Sequence, residues 1–205
     1  MRIYLVTDER LLLGKDLYRT VEAAVKGGVS MVQLREKESS TRKFIERAIR
    51  LKEVLTPYGV PLIINDRVDV ALAADADGVH VGQSDMPYEM VKRLLPEGKI
   101  IGLSVESPEQ VLEANDYDLD YVAASPVFST TTKTNTIVEW GLDGLRWIRS
   151  VSRHSLVAIG GIHSNNVASI CKAGADSVAV ISAIVSADDP ERAARELLEK
   201  SGELH

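Results

Sequence analysis

Short runs of β-branched and other apolar residues recur along the chain, each followed by a stretch in which apolar positions return every three or four residues. The first pattern predicts a buried strand and the second an amphipathic helix. The clearest instance lies at 156–184. Leu156, Val157, Ala158 and Ile159 run into Gly160, Gly161 and Ile162, a polar turn follows at 163–166, and a helix-length segment reaches Ala173. A second apolar run spans 177–184. Two such runs joined by one helix predict a βαβ unit with parallel strands, because a crossover of that length returns the chain to the same end of the sheet.

The same unit repeats from the start. Strands are expected at 3–7, 31–35, 61–66, 78–82, 100–105 and 121–127, ahead of the two at 156–162 and 177–184. Between them, Leu17, Val21, Ala24 and Val25 mark a helix that stops at Gly27 and Gly28. Phe44, Ile45, Ala48, Leu51, Val54 and Leu55 mark another, with Ser39 or Ser40 as N-cap and Pro57 beyond its end. A short helix fits 68–74, and further helices fit Met90 to Leu95, 108–117, Leu142 to Ile148 and 190–198. Eight strands alternating with eight helices, without a linker or a change of composition, predict a single-domain (β/α)8 TIM barrel over 1–205. An open doubly wound sheet is the rival, but no Gly-x-Gly-x-x-Gly follows the first strand.

Composition narrows the partners. The 205 residues are 45% hydrophobic, enough for one core, and the formal charge of −6 argues against binding nucleic acid or an anionic membrane. No apolar run reaches the roughly 18 residues of a membrane span. Cys171 is the only cysteine, so a reducing cytoplasm is the expected setting. The pattern carries no signal for oligomeric state.

In a barrel the working face lies at the strand C-termini. After the second strand, period two sets Gln33, Arg35 and Lys37 on one face and Val32 and Leu34 on the other. Gln33 and Arg35 then point into the barrel mouth, where a cation calls for an anionic partner such as phosphate. Asn65 and Asp66 end the third strand, and Gln83, Ser84 and Asp85 follow the fourth. Adjacent strands lie about 5 Å apart, so Asp66 and Asp85 could share one Mg²⁺, which takes one or two carboxylates and completes its shell with water and phosphate. Both could equally be helix caps. His80, between Val79 and Val81, reads as a core histidine, and His163 as a turn residue. Ser104 ends the fifth strand, and the hydroxyl-rich loop at 128–139, with Thr130, Thr131, Thr132 and Lys133, suits an oxyanion. Gly160 and Gly161 either make a tight turn or leave room for a ligand to approach backbone, and the loops after strands seven and eight of a barrel commonly hold phosphate.

Taken together, Gln33-Leu34-Arg35-Glu36-Lys37, Asn65-Asp66, Gly78-Val79-His80-Val81-Gly82-Gln83-x-Asp85, Gly102-Leu103-Ser104, Thr130-x-Thr132-Lys133-Thr134, Ala158-Ile159-Gly160-Gly161-Ile162 and Val180-Ile181-Ser182-Ala183-Ile184 resemble the thiamine-phosphate synthase family. The seven segments fall in family order across nearly the whole chain. The resemblance implies a Mg²⁺-dependent cytoplasmic transferase, with one ion per subunit, that joins a hydroxymethylpyrimidine diphosphate to a thiazole phosphate and releases pyrophosphate. It assigns Gln33, Leu34, Arg35, Glu36, Lys37, Asn65, Ser104 and Lys133 to the pyrimidine diphosphate. Arg35, Lys37, Lys133 and Ser104 are the expected catalytic groups, and Asp66 and Asp85 the metal ligands. Thr130, Thr131, Thr132, Gly161, Ile181 and Ser182 match positions that receive thiazole phosphate. Ser129 stands where the family usually has Pro, and Ser125 where Gly is common. The rivals are a thiazole tautomerase on the same barrel, expected to lack the metal and diphosphate constellation, and a non-catalytic sensor of the same ligands.

Overall fold

A computed structural model describes residues 2–129 and 139–202. Eight parallel strands close on themselves in chain order: β1 (Arg2–Val6), β2 (Val29–Leu34), β3 (Leu62–Asn65), β4 (Gly78–Val81), β5 (Ile100–Val105), β6 (Tyr121–Ala124), β7 (Ser155–Ile159) and β8 (Ser177–Val180). The last strand pairs with the first through Arg2 to Ser177 and Leu5 to Val180. This is the (β/α)8 barrel that the alternation of patterns predicts.

Period two divides every strand. Ile3, Leu5, Val32, Leu34, Leu62, Ile64, Val79, Val81, Leu103, Val122, Leu156 and Val178 face the surrounding helices and form the larger apolar layer. Tyr4, Val6, Ile63, Tyr121, Ala123, Val157 and Ala179 form a smaller one inside the barrel. The helices supply the other wall of the outer layer: α1 (Leu17–Lys26) with Val21 and Ala24, α2 (Thr41–Leu55) with Phe44, Ala48 and Leu51, and α3 (Val68–Ala73) with Val70. The ring continues through α4 (Tyr88–Leu94), α5 (Pro108–Ala114), α6 (Gly141–Val151) and α7 (Val167–Lys172). Side-chain caps fix several starts. Asp16 accepts from Arg19 N, Ser40 from Lys43 N and Ser107 from Gln110 N, each cap being worth about 1 kcal/mol.

Three strands end well before their expected limits, among them β7, which stops at Ile159 ahead of Gly160. The sixth strand stops at Ala124 because Pro126, after a cis bond from Ser125, has no N–H for the ladder. The eighth stops at Val180, and the remaining apolar residues form a one-turn helix, α8 (Ser182–Val185), ahead of α9 (Pro190–Lys200). The described residues thus hold nine α-helices where eight are expected. No helix among them is long and apolar enough to cross a membrane.

Candidate active site

The strand C-termini surround a cavity of about 1130 Å³. Apolar Val6, Ala123, Val157 and Ala179 share its lower wall with the buried polar side chains of Tyr4, Gln33, His80 and Ser104, and the charged groups stand at the rim. Of the residues singled out from sequence, Gln33, Arg35, Lys37, Asn65, Asp66, Asp85, Ser104, Gly161, Ile181 and Ser182 all line this space. Leu34 and Glu36 do not. Leu34 is fully buried against the helices, and the Glu36 carboxylate turns outward to Arg47 at 2.7 Å. Alternation explains both, since each is one residue out of phase with Gln33, Arg35 and Lys37. Thr130, Thr131, Thr132 and Lys133 lie outside the described residues.

The charged groups are paired across loops. Arg35 Nη1 meets Asp8 Oδ2 at 2.7 Å, a partner supplied by the loop after β1 that sequence reading missed. Lys37 Nζ meets Asp66 Oδ2 at 2.6 Å. Neither aspartate acts as a helix cap. The residue before α3 is Arg67 and the one before α4 is Pro87, and neither helix has a side-chain cap. Asp66 instead adopts a left-handed backbone, φ 64°, which swings its carboxylate over the mouth. Asp85 Oδ2 accepts from the Gly82 amide at 2.8 Å. Burial pushes the Asp85 carboxyl up, the Gly82 amide holds it down, and the neighbouring Asp66 carboxylate, within hydrogen-bonding reach, pushes it up again. The two carboxylates thus raise the cost of charge on one another.

The opposite side of the rim carries little charge. Gly160 and Gly161 have φ 103° and 67°, so the tight turn is real. The missing Cβ atoms also admit the loop after β6: a Cβ on Gly160 would lie 2.6 Å from Pro126 Cβ, and one on Gly161 2.8 Å from Phe128 Cβ. The space they open is shared between that loop and the cavity. Val127 N to Ile159 O at 2.8 Å and Gly141 N to Val127 O at 2.9 Å pin the loop's base.

Sequence reading passed over several lining residues. His80 is buried and hydrogen-bonded as expected of a core histidine, with Tyr121 Oη at 3.0 Å and Ser104 Oγ at 2.9 Å, yet it also lines the cavity. Tyr4, Gln83, Glu106, His163 and Asn166 line it too. Period two marks Tyr4, between outward-facing Ile3 and Leu5, and Glu106, two residues past Ser104; His163 and Asn166 lie in the turn after β7, where alternation gives no signal. Among the described residues no group of three or more His, Cys, Asp or Glu is placed to hold a metal.

The model of the thiamine monophosphate synthase family matches residues 3–184. The chain belongs to that family. It is 52% identical over 190 residues to the thiamine-phosphate synthase of Albidiferax ferrireducens, covering 93% of this chain and 87% of that one. It is 50% identical to the thiamine-phosphate synthase of Vibrio campbellii, covering 96% of each chain. Among solved structures, thiamine phosphate pyrophosphorylase from Pyrococcus furiosus superposes with a TM-score of 0.90 at 40% identity, covering 98% of this chain and 96% of that one. The enzyme is accordingly a transferase of thiamine biosynthesis acting on small molecules.

Proposed function

We propose that the chain condenses 4-amino-5-hydroxymethyl-2-methylpyrimidine diphosphate with 4-methyl-5-(2-hydroxyethyl)thiazole phosphate, giving thiamine phosphate and pyrophosphate, at the cavity described above. One observation supports the assignment of roles: Arg35, Lys37, Asn65, Asp66, Asp85 and Ser104, from the ends of β2 to β5 and the loops that follow, converge on one half of a single rim. That is the arrangement needed to hold a multiply charged leaving group. Gly161, Ile181 and Ser182 border the other half, where thiazole phosphate is assigned.

The close Asp66 and Asp85 carboxylates fit a Mg²⁺ ion, since hard oxygen donors of like charge are relieved by a divalent cation and one or two carboxylates suffice when substrate phosphate completes the shell. Bound there, one ion per chain would supply Lewis-acid stabilisation of the diphosphate oxygens worth several kcal/mol. The remaining work falls to the chain. Arg35 and Lys37 exchange Asp8 and Asp66 for diphosphate oxygens, and Lys133 adds a third charge from the loop after β6. The bond between the methylene carbon and the diphosphate oxygen breaks, its electron pair leaving with pyrophosphate. The aminopyrimidine ring delocalises the positive charge left on the carbon. Apolar Val6, Ala123, Val157 and Ala179 keep water from capturing that cation. The thiazole nitrogen then gives its lone pair to the carbon, and no general base is required.

A cytoplasmic setting accords with the free thiol of Cys171 and with phosphorylated substrates. The experiment is a steady-state assay with both substrates and Mg²⁺. Thiamine phosphate and pyrophosphate are expected in equal amounts, and neither when the ion is chelated. Isomerised thiazole alone, or ligand binding without pyrophosphate release, would overturn the assignment.

A further inference from the structure

Beneath the rim, five buried side chains form one hydrogen-bonded row across the barrel. Gln33 Nε2 donates to Tyr4 Oη at 2.6 Å, and Tyr4 Oη lies 2.9 Å from Tyr121 Oη. Tyr121 Oη lies 3.0 Å from His80 Nδ1, and His80 Nε2 lies 2.9 Å from Ser104 Oγ. The donors and acceptors give this row a direction. An amide nitrogen has only hydrogens to offer, so the Tyr4 oxygen accepts there, and in the direction proposed below its own hydrogen passes to Tyr121. In that direction Tyr121 donates to Nδ1, which puts the His80 ring proton on Nε2, donated to Ser104. The Ser104 oxygen is thereby used as an acceptor, and its hydrogen turns toward the cavity that Ser104 lines.

We propose that Tyr121 is a positioning residue: through His80 it sets the polarity of Ser104, so that this hydroxyl donates a hydrogen bond to the departing diphosphate. Tyr121 is not among the residues lining the cavity, so it acts without touching substrate. Its phenol is held by construction. The ring stacks on His80 at 5.6 Å between centroids and 12° between planes, and stands edge-on to Tyr4 at 5.9 Å and 89°. Across the β5–β6 pair its register partner is Gly102, where a Cβ would overlap the Tyr121 ring and hydroxyl. Burial raises both phenols well above their ordinary range, so both keep the hydrogen the row requires. A phenylalanine would fill the same ring space. The hydroxyl is what the row needs, and a donor aimed where negative charge develops strengthens as the bond breaks.

The inference rests on the proposed reaction only for the identity of the acceptor, and its test separates the two. Nitrogen-15 NMR of histidine-labelled free protein reads the His80 tautomer without substrate. The Nε2–H form is expected in the wild type and its loss in Tyr121→Phe. Steady-state kinetics of the same variant should show kcat reduced about tenfold, the scale of one hydrogen bond strengthened in the transition state, with KM moved less than about twofold. Tyr4→Phe interrupts the row one step earlier and should move both readouts the same way, which covers failure of the first variant to fold. An Nδ1–H tautomer in the wild type would overturn the proposal, as would unchanged kcat in a folded Tyr121→Phe. A wild type with the expected tautomer but no thiamine phosphate product would instead remove the assigned reaction and leave the row standing.

Discussion

The two halves of the rim solve different problems with different material. From β2 to β5 the cavity is edged by charged and amide side chains, with Lys37 against Asp66 and Asp85 beside them. From β7 to β8 it is edged by Gly160, Gly161, Ile181 and Ser182, with His163 and Asn166 beyond them and no Asp, Glu, Lys or Arg among the described lining residues there. On the proposed assignment, the first half takes a leaving group that carries several charges and must be released, and the second a smaller anion that is held and carried into product. Catalysis of this kind asks for charge on one side of the reacting carbon and shape on the other.

The largest predicted effect breaks the charged half. Asp66→Asn and Asp85→Asn should each lower kcat/KM by about 10²–10³-fold, since the stabilisation lost is several kcal/mol and each 1.4 kcal/mol is a factor of ten. Asn is the better replacement at 66 because it tolerates the left-handed backbone seen there. Thermal unfolding of both variants should stay close to wild type, because these carboxylates cap no helix and fill no core position. Equal activity in Mg²⁺ would show that the acidic pair is not part of the machinery.

The next effect breaks the other half. Gly161→Ala adds a methyl at φ 67° and 2.8 Å from Phe128 Cβ, so strain of about 1 kcal/mol and displacement of the loop after β6 act together. KM for thiazole phosphate should rise about tenfold while that for the pyrimidine diphosphate changes little. A uniform fall in kcat without a KM difference would contradict the division of the rim.

Gly102→Ala tests the wall between the halves. Its methyl overlaps the Tyr121 ring, and overpacking of this kind costs about 1–3 kcal/mol, read as a lower melting temperature. A stability equal to wild type would mean that the Tyr121 ring yields freely.

The smallest effect is a control at the far end of the barrel. Lys99 and Lys52 hold the exposed Asp75 carboxyl down to about 2, below its ordinary 3.8. A depressed carboxylate contributes stability above its unfolded value and loses it as pH falls through the folded one. Wild type should therefore lose this small contribution between about pH 4 and pH 2, and Asp75→Asn should flatten the stability curve there without changing kcat. Parallel curves for the two proteins would contradict the pairing.

Much of this was legible because a parallel barrel translates alternation directly into place. Once Val32 and Leu34 are assigned to the helices, Gln33 and Arg35 have nowhere to point but the mouth. The same rule turns the side chains of Leu34 and Glu36 away from the mouth, although the resemblance carried them into the binding set as a block. Strand ends were harder. Pro126 and the turn into α8 are set by local hydrogen bonding that hydropathy does not report. Least legible were contacts between strands: Asp8 reaches Arg35 because β1 pairs with β2, and Tyr4 meets Tyr121 across the closed interior although 117 residues separate them. No spacing along the chain signals either contact.

The claim that one half of the rim holds the diphosphate is tested most directly by calorimetric titration with inorganic pyrophosphate, with and without Mg²⁺. Wild type and Gly161→Ala should bind one pyrophosphate per chain in the presence of the ion, with similar affinity, and Asp66→Asn and Asp85→Asn should bind it at least about tenfold more weakly. Equal affinity in the aspartate variants, or loss confined to Gly161→Ala, would contradict the account.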